Sequence, residues 1–161
     1  MVSVIAVTER VARRIREEAR RLGISVEEYI LELITRDLDP RDRALEYVEV
    51  AKELLKQARE ELRKGDVRQV AEKVWGAAAL AVKAYASWRE GRRLVSHREL
   101  WEYLNRIATE LGEWVIHAWH DANAMHTCFY EGWCTVGSVE AALKQVGEFV
   151  KEVSIRVKEG G

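Results

Sequence analysis

The apolar residues near the start of the chain recur every three or four positions, as on one face of a helix. The stripe consists of Val11, Ile15, Ala19 and Leu22. Gly23 follows the stripe, at a position where glycine commonly ends a helix. Ser25 and Glu28 then have the spacing of a capping box, and the apolar pattern continues through Leu33. The sequence therefore predicts a short helical hairpin.

The residues on either side of this hairpin have different patterns. Residues 2–7, VSVIAV, are rich in β-branched side chains, and we expect them to form the one strand of the protein. After the hairpin, Asp39 and Pro40 form a helix-start pair, because proline suits the first position of a helix. The sequence therefore predicts a dimerising appendage at residues 1–38 and a main body at residues 39–161.

The main body consists of long segments with helical periodicity, separated by short turns. One helix begins at Pro40 and ends at Gly65, and Asp66 caps the next. The centre of that second helix, Val74–Ala86, is apolar on nearly all sides, so we place it in the middle of a bundle. Its Gly76 would let a neighbouring helix approach closely.

Three more helices follow in the sequence. Ser96 and Glu99 form a capping box, and Gly112 ends the helix that they open. The next helix runs from about Glu113 to Tyr130. The last helix has an amphipathic stripe, which consists of Val139, Leu143, Val146, Val150 and Val153. The whole pattern predicts an all-α protein, an up-and-down helical bundle with a short N-terminal appendage.

Composition narrows the class of protein. The chain has 161 residues, 48% of them hydrophobic, which is enough for one core and a short appendage. Its net charge is −1, so nucleic-acid binding would need a local patch. No apolar run has the length of a membrane span, and we expect a cytoplasmic protein without membrane contact. Charged residues make up 33% of the chain and Asn and Gln are few, which is typical of thermophilic proteins.

Cysteines and histidines raise the question of disulfide and metal chemistry. Cys128 and Cys134 are too few for a disulfide scaffold and lack the paired spacing of a zinc site, so we expect reduced thiols. His117, His120 and Asp121 can share a helical face that offers two imidazoles and a carboxylate to a metal. Such residues more often lie on a solvated face, and we predict neither a metal site nor a cofactor.

A basic cluster surrounds the turn at Gly91. It consists of Arg89, Arg92, Arg93 and Arg98, with Trp88 beside them. Arginines next to an aromatic ring can bind single-stranded RNA through its phosphates and stacked bases. The same residues also fit a solvated turn near a helix C-terminus, and both interpretations stay open.

Three separated stretches of the main body carry a family pattern. They are EKVWGAAALAVKAYA (Glu72–Ala86), SHRELWEYL (Ser96–Leu104) and MHTCFYEGW (Met125–Trp133). Together they resemble the archaeal PaREP family within the HEPN superfamily, over most of residues 41–157. The resemblance implies the helical-bundle fold of that superfamily, whose members often dimerise through their long helices.

The resemblance also implies where catalysis would lie. Ribonucleases and toxins of the HEPN superfamily use an Arg followed a short distance later by a His, commonly with a polar residue after the Arg. His126 matches that His and Asp121 matches the polar residue, but His120 stands in place of the Arg. These three are the candidate catalytic residues. Because an imidazole is mostly neutral at neutral pH, it cannot replace a permanently charged, bidentate guanidinium.

We therefore expect a non-catalytic oligomeric module that binds a protein partner or RNA. The simplest assembly is a homodimer, and the candidate partners are RNA and a nucleotidyltransferase-type protein. One alternative is a metal-independent endoribonuclease or toxin that uses His126. A second is a DNA-binding regulator, because the appendage resembles a ribbon-helix-helix element. Only Ser3 is polar within residues 2–7, which favours dimerisation over operator recognition.

Overall fold

The computed structural model describes residues 2–160. This part of the chain divides into two compact units, residues 2–38 and residues 39–160. Within it lie seven helices, which are α1 (Glu9–Leu22), α2 (Val26–Ile34), α3 (Pro40–Lys64), α4 (Val67–Glu90), α5 (His97–Leu111), α6 (Trp114–Glu131) and α7 (Val136–Glu159). The first two belong to the first unit and the others to the second. The predicted all-α fold is confirmed.

The first unit is a helical hairpin, as the sequence predicts. Gly23 ends α1 in the left-handed conformation, with a φ of 69° that favours glycine. The Ser25 hydroxyl then accepts a hydrogen bond from the Glu28 N–H and so caps α2. These local signals alone define the turn between the two helices.

Residues 2–7 do not form a strand, and that prediction is wrong. They have no regular secondary structure, and the exposed fractions of Val2, Val4 and Ile5 are 74%, 92% and 86%. A strand needs the backbone hydrogen-bonding groups of a second strand, and no strand lies elsewhere within residues 2–160. Residues 2–7 are rich in β-branched side chains, but within residues 2–160 of a single copy they have no second strand to pair with.

The second unit is built around α4, as its apolar sequence predicts. This helix packs against α3, α5, α6 and α7, while α3 and α7 also pack against each other. Every residue from Ala77 to Ser87 is buried, so α4 has no solvent face over three turns. None of the helices in residues 2–160, α4 included, is long and apolar enough to cross a membrane.

Gly76 marks a close approach between α4 and α3. A Cβ atom added to Gly76 would lie 3.1 Å from the Leu54 Cδ1 atom of α3. Glycine in a helix interior costs about 1 kcal/mol relative to alanine, which is offset here by the closer helix packing. The predicted role of Gly76 is therefore confirmed.

Side-chain caps fix where the helices of the second unit begin. The Asp39 carboxylate accepts hydrogen bonds from the backbone N–H groups of Arg41 and Asp42 at the start of α3. Ser96 and Glu99 form the predicted capping box of α5. These bonds satisfy N–H groups that the helix itself leaves without partners.

Candidate functional site

Two imidazoles and two indoles meet where α4, α5 and α6 pack together. The ring of His126 lies 4.6 Å from that of Trp75 and 5.2 Å from that of His97, measured between centroids. Trp75 also contacts His97 and Trp119, each at 5.2 Å. We call these four residues the indole–imidazole cluster.

Helical spacing explains why the cluster forms. Trp119 and His126 are seven residues apart on α6, two turns of one face. Trp75 of α4 contacts both of them and therefore aligns the two helices. His97 is the first residue of α5, held there by the Ser96 cap. Sequence reasoning missed His97, because its place depends on the packing of α5 rather than on a nearby motif.

The cluster is buried at one end and reaches solvent at the other. Trp119 is fully buried and Trp75 is buried, whereas His97 is exposed and His126 is half-buried. Burial lowers the pKa of His126 below its ordinary value, and the charge of His97 lowers it further. His126 is therefore held neutral, which suits a proton acceptor, and an exposed imidazole stands beside it.

His120 and Asp121 lie on α6 but have different neighbours. The His120 ring contacts Trp101 at 5.8 Å and His117 at 6.5 Å. The ring contacts of His126 do not include His120. His120 is exposed and Asp121 is half-buried. Within residues 2–160 no group of three or more His, Cys, Asp or Glu side chains could hold a metal ion. The imidazole in contact with His126 is thus His97 and not His120.

Comparison with known proteins gives one family. The model of the archaeal PaREP1/PaREP8 family matches residues 46–150. The chain belongs to this family. The matched segment runs from α3 into α7 and contains the whole indole–imidazole cluster, whereas residues 2–38 lie outside it. Neither the curated proteins nor the solved structures give a significant match.

Part of the basic turn in this PaREP1/PaREP8 chain is occupied by an ion pair. The Arg89 Nε donates to the Glu110 carboxylate at 3.2 Å. The Tyr85 hydroxyl donates to the same carboxylate, and these hydrogen bonds hold the pKa of Glu110 below its ordinary value. Trp88 packs edge-on against Tyr85, with 5.2 Å between ring centroids. Arg89 and Tyr85 therefore help to join α4 to α5, whereas the contact of Trp88 lies within α4.

The other three arginines of the turn differ in their partners and in their exposure to solvent. Arg98 donates to Glu102 at 2.8 Å, one turn further along α5. The Arg92 guanidinium lies 5.9 Å from the centre of the Tyr103 ring, and Arg93 is half-buried. An RNA phosphate would have to compete with the carboxylate of Glu102 for Arg98, whereas Arg92 is exposed.

The two cysteines of the PaREP1/PaREP8 chain form a disulfide, so the prediction of reduced thiols is wrong. Cys128 lies near the end of α6 and Cys134 just beyond it, with 5.0 Å between their Cα atoms. Gly132 ends α6 and turns the chain back, which brings the two sulfurs together. The positions of Cys128 and Cys134 on either side of Gly132 could have indicated this disulfide. The number of cysteines alone could not, because it contains no information about the turn.

Proposed function

We propose that this chain is an oligomeric interaction module, built on a HEPN-like helical bundle without efficient catalysis of its own. In this proposal, residues 2–38 act as a ribbon-helix-helix-like element that joins two copies. The observation that carries it is the apolar surface of those residues.

Exposed apolar side chains are concentrated in the first unit. Of the fifteen large hydrophobic side chains that are exposed within residues 2–160, nine lie in residues 2–38. They are Val2, Val4, Ile5, Val7, Val11, Val26, Ile30, Leu33 and Ile34. Within the same residues, the buried apolar side chains are those of Ala19 and Leu31. A segment below about 40 residues with so small a core needs an oligomeric partner or another support to be stable.

A second copy of the chain fits this surface better than an unrelated partner. Residues 2–7 have the composition of a strand, and an identical segment running antiparallel can pair with them about a two-fold axis. Pairing would satisfy backbone groups and cover alternate side chains of the ribbon. The hairpin of α1 and α2 would then cover the ribbon's other apolar face.

The test is the mass of the full chain in solution, with any affinity tag at the C-terminus. We expect light scattering to give at least twice 18.5 kDa for the wild type. The Val4→Lys/Ile5→Lys variant should have half the wild-type mass, because the two ammonium groups cannot be buried in the ribbon. Both side chains are at least 86% exposed in one copy, so the substitution should leave the fold of a single copy intact.

Glu60→Lys is the matched control, because it changes the net charge by the same +2, at an exposed position of α3. It should keep the wild-type mass. A wild type at 18.5 kDa, or an unchanged mass for the Val4→Lys/Ile5→Lys variant, contradicts the proposal.

A ribonuclease is the second candidate function, and the contact between His97 and His126 favours it. Metal-independent RNA cleavage needs a proton acceptor at the ribose hydroxyl and a proton donor at the leaving oxygen, and two imidazoles can share these tasks. The cluster lacks a guanidinium to stabilise charge on phosphorus, a contribution of about two or more powers of ten in rate. This is why the non-catalytic module stands first.

An RNA cleavage assay in chelator separates the two candidates. We expect no cleavage of single-stranded RNA by the wild type. Robust cleavage that both His97→Ala and His126→Ala abolish, and that His117→Ala retains, would establish the ribonuclease instead. His117 is a suitable control because it is exposed on α6 and its ring contact is with His120, outside the cluster.

A further inference from the structure

The exposed ridge of α7 has an ordered pattern of charges. Glu140, Lys144, Glu148 and Lys151 follow one another along it, so that acid and base alternate. All four are exposed and line a groove of about 690 Å³ between α3 and α7. The floor of the groove is apolar and consists of Leu55, Leu62, Leu143, Gly147, Val150 and Ile155, with Ser154 beside them.

Three of the other charged residues of α7 form ion pairs. Arg156 pairs with Glu152 at 3.1 Å, and Lys158 pairs with Glu49 of α3 at 3.0 Å. By contrast, none of the ion pairs among residues 2–160 includes a charge of the ridge. The i, i+3 and i, i+4 spacings would allow ion pairs within α7, yet these four side chains do not form them. The ridge therefore has its charges available for another molecule.

A ridge of alternating acidic and basic residues is complementary in charge to a second copy of itself that runs antiparallel. If a second α7 crosses the first antiparallel, with the crossing point between Gln145 and Val146, Glu140 faces the partner's Lys151. Lys144 then lies one residue from the position opposite the partner's Glu148, a distance of about 1.5 Å along a helix. Each pair occurs twice because the arrangement has two-fold symmetry.

The apolar residues at the ends of the ridge also lie opposite each other in this antiparallel crossing. Val136 and Ile155 are 55% and 39% exposed, and the same antiparallel crossing places Val136 opposite the partner's Ile155. Apolar side chains thus meet at both ends, and opposite charges meet between them.

Gly147 lies next to the crossing point, and no other part of its own chain packs against it. No atom lies within 4 Å of the position that its Cβ would occupy, and it sits in the interior of a 24-residue helix. Glycine there destabilises the helix relative to alanine, so some gain outside the single chain should accompany it. A missing side chain at a helix crossing lets two backbones approach closely.

We propose that α7 is a self-association surface, on which a second copy of this chain packs its own α7 antiparallel across Gly147. The occupant is a second copy because the ridge is complementary in charge and in apolar positions to itself. This contact is separate from residues 2–38 and does not depend on them.

Opposite charge reversals test the proposal on the full chain. Glu140→Lys/Glu148→Lys makes the ridge wholly basic, and Lys144→Glu/Lys151→Glu makes it wholly acidic. By sedimentation, each variant alone should have half the wild-type mass, because like charges then face each other. An equimolar mixture of the two should regain the wild-type mass.

Two further variants keep the result interpretable if one variant folds poorly. The fourfold exchange of Glu140→Lys, Lys144→Glu, Glu148→Lys and Lys151→Glu restores the alternation and should keep the wild-type mass. The control Glu53→Lys/Glu60→Lys makes the same reversals at exposed positions of α3 outside the groove and should keep it too.

The outcome separates this surface from the first unit. Loss of mass in both reversal variants and its recovery on mixing support the α7 contact, whatever the Val4→Lys/Ile5→Lys variant does. An unchanged mass in both reversal variants, or a mixture that does not recover, overturns it even if residues 2–38 join two copies.

Discussion

Trp75 connects the parts of the bundle from which the candidate site is built. Its ring on α4 contacts His97 of α5 and both Trp119 and His126 of α6. Burial of an indole and its offset contacts with other rings are worth several kcal/mol together. The positions of the two imidazoles therefore depend on one residue that is itself neither acid nor base.

The neutral state of His126 should make the stability depend on pH. Its folded pKa lies below the unfolded value of about 6.5, so on acidification the unfolded chain binds a proton before the folded one does. Stability from this group is complete above about pH 6.5 and is lost as the pH falls toward the folded pKa. We expect the urea midpoint to decrease between about pH 7.5 and pH 5.5.

His126→Phe should remove most of that decrease, since it keeps an aromatic ring against Trp75 without a titrating group. His117→Phe, on the exposed face of α6, should retain it. Equal pH dependence in the wild type and in His126→Phe would show that His126 is not the responsible group.

Gly76 gives a prediction about packing. Gly76→Leu should lower the free energy of unfolding by about 1–3 kcal/mol, because the side chain would collide with Leu54 across the α3–α4 contact. Denaturant unfolding measures this. Gly137→Leu is the control, since no atom lies within 4 Å of a Cβ there, and it should not lower the stability. Equal effects at both positions would contradict the close contact.

At the level of elements, the sequence determines helix ends better than helix neighbours. The ends of α1, α3 and α5 follow from Gly23, Asp39 and Ser96, whose hydrogen bonds involve residues within a few positions. His97 and His126 are 29 positions apart in the sequence, and their contact depends on how α5 and α6 pack. Local patterns carry no information about that packing, so the site could be predicted only in part.

The disulfide at the end of α6 gives a prediction for one element. Cys128 and Cys134 are six positions apart, and a closed loop of that size contributes about 2 kcal/mol in the chain-entropy account. Reductant should therefore lower the melting temperature of the wild type. Cys134→Ser should start at the lower value and not respond to reductant. A wild type whose melting is the same with and without reductant would contradict a stabilising disulfide.

At the scale of the whole molecule, the two units differ in how much apolar surface they bury. Residues 39–160 have a core around α4 that can support a fold, whereas residues 2–38 expose most of their large apolar side chains. The sequence predicts the helices of both units. It could not show that residues 2–7 lack a partner strand in one copy of the chain.

If association stabilises the fold, the melting temperature should depend on concentration. Binding that involves only folded copies raises the apparent stability as the protein becomes more concentrated. We expect the melting temperature of the wild type to rise across a dilution series, and to rise less for Val4→Lys/Ile5→Lys. Identical melting curves over about a hundredfold range would contradict association-coupled stability.

The enclosure of α4 has a consequence for amide hydrogen exchange. A helix that four others cover cannot release its backbone amides by fraying at a surface, so deuterium should enter Ala77–Ser87 only when the bundle opens as a whole. The exchange rate of a single peptide from this segment would then report the global opening free energy of the second unit. Peptides from the ends of the other helices would report local fraying instead.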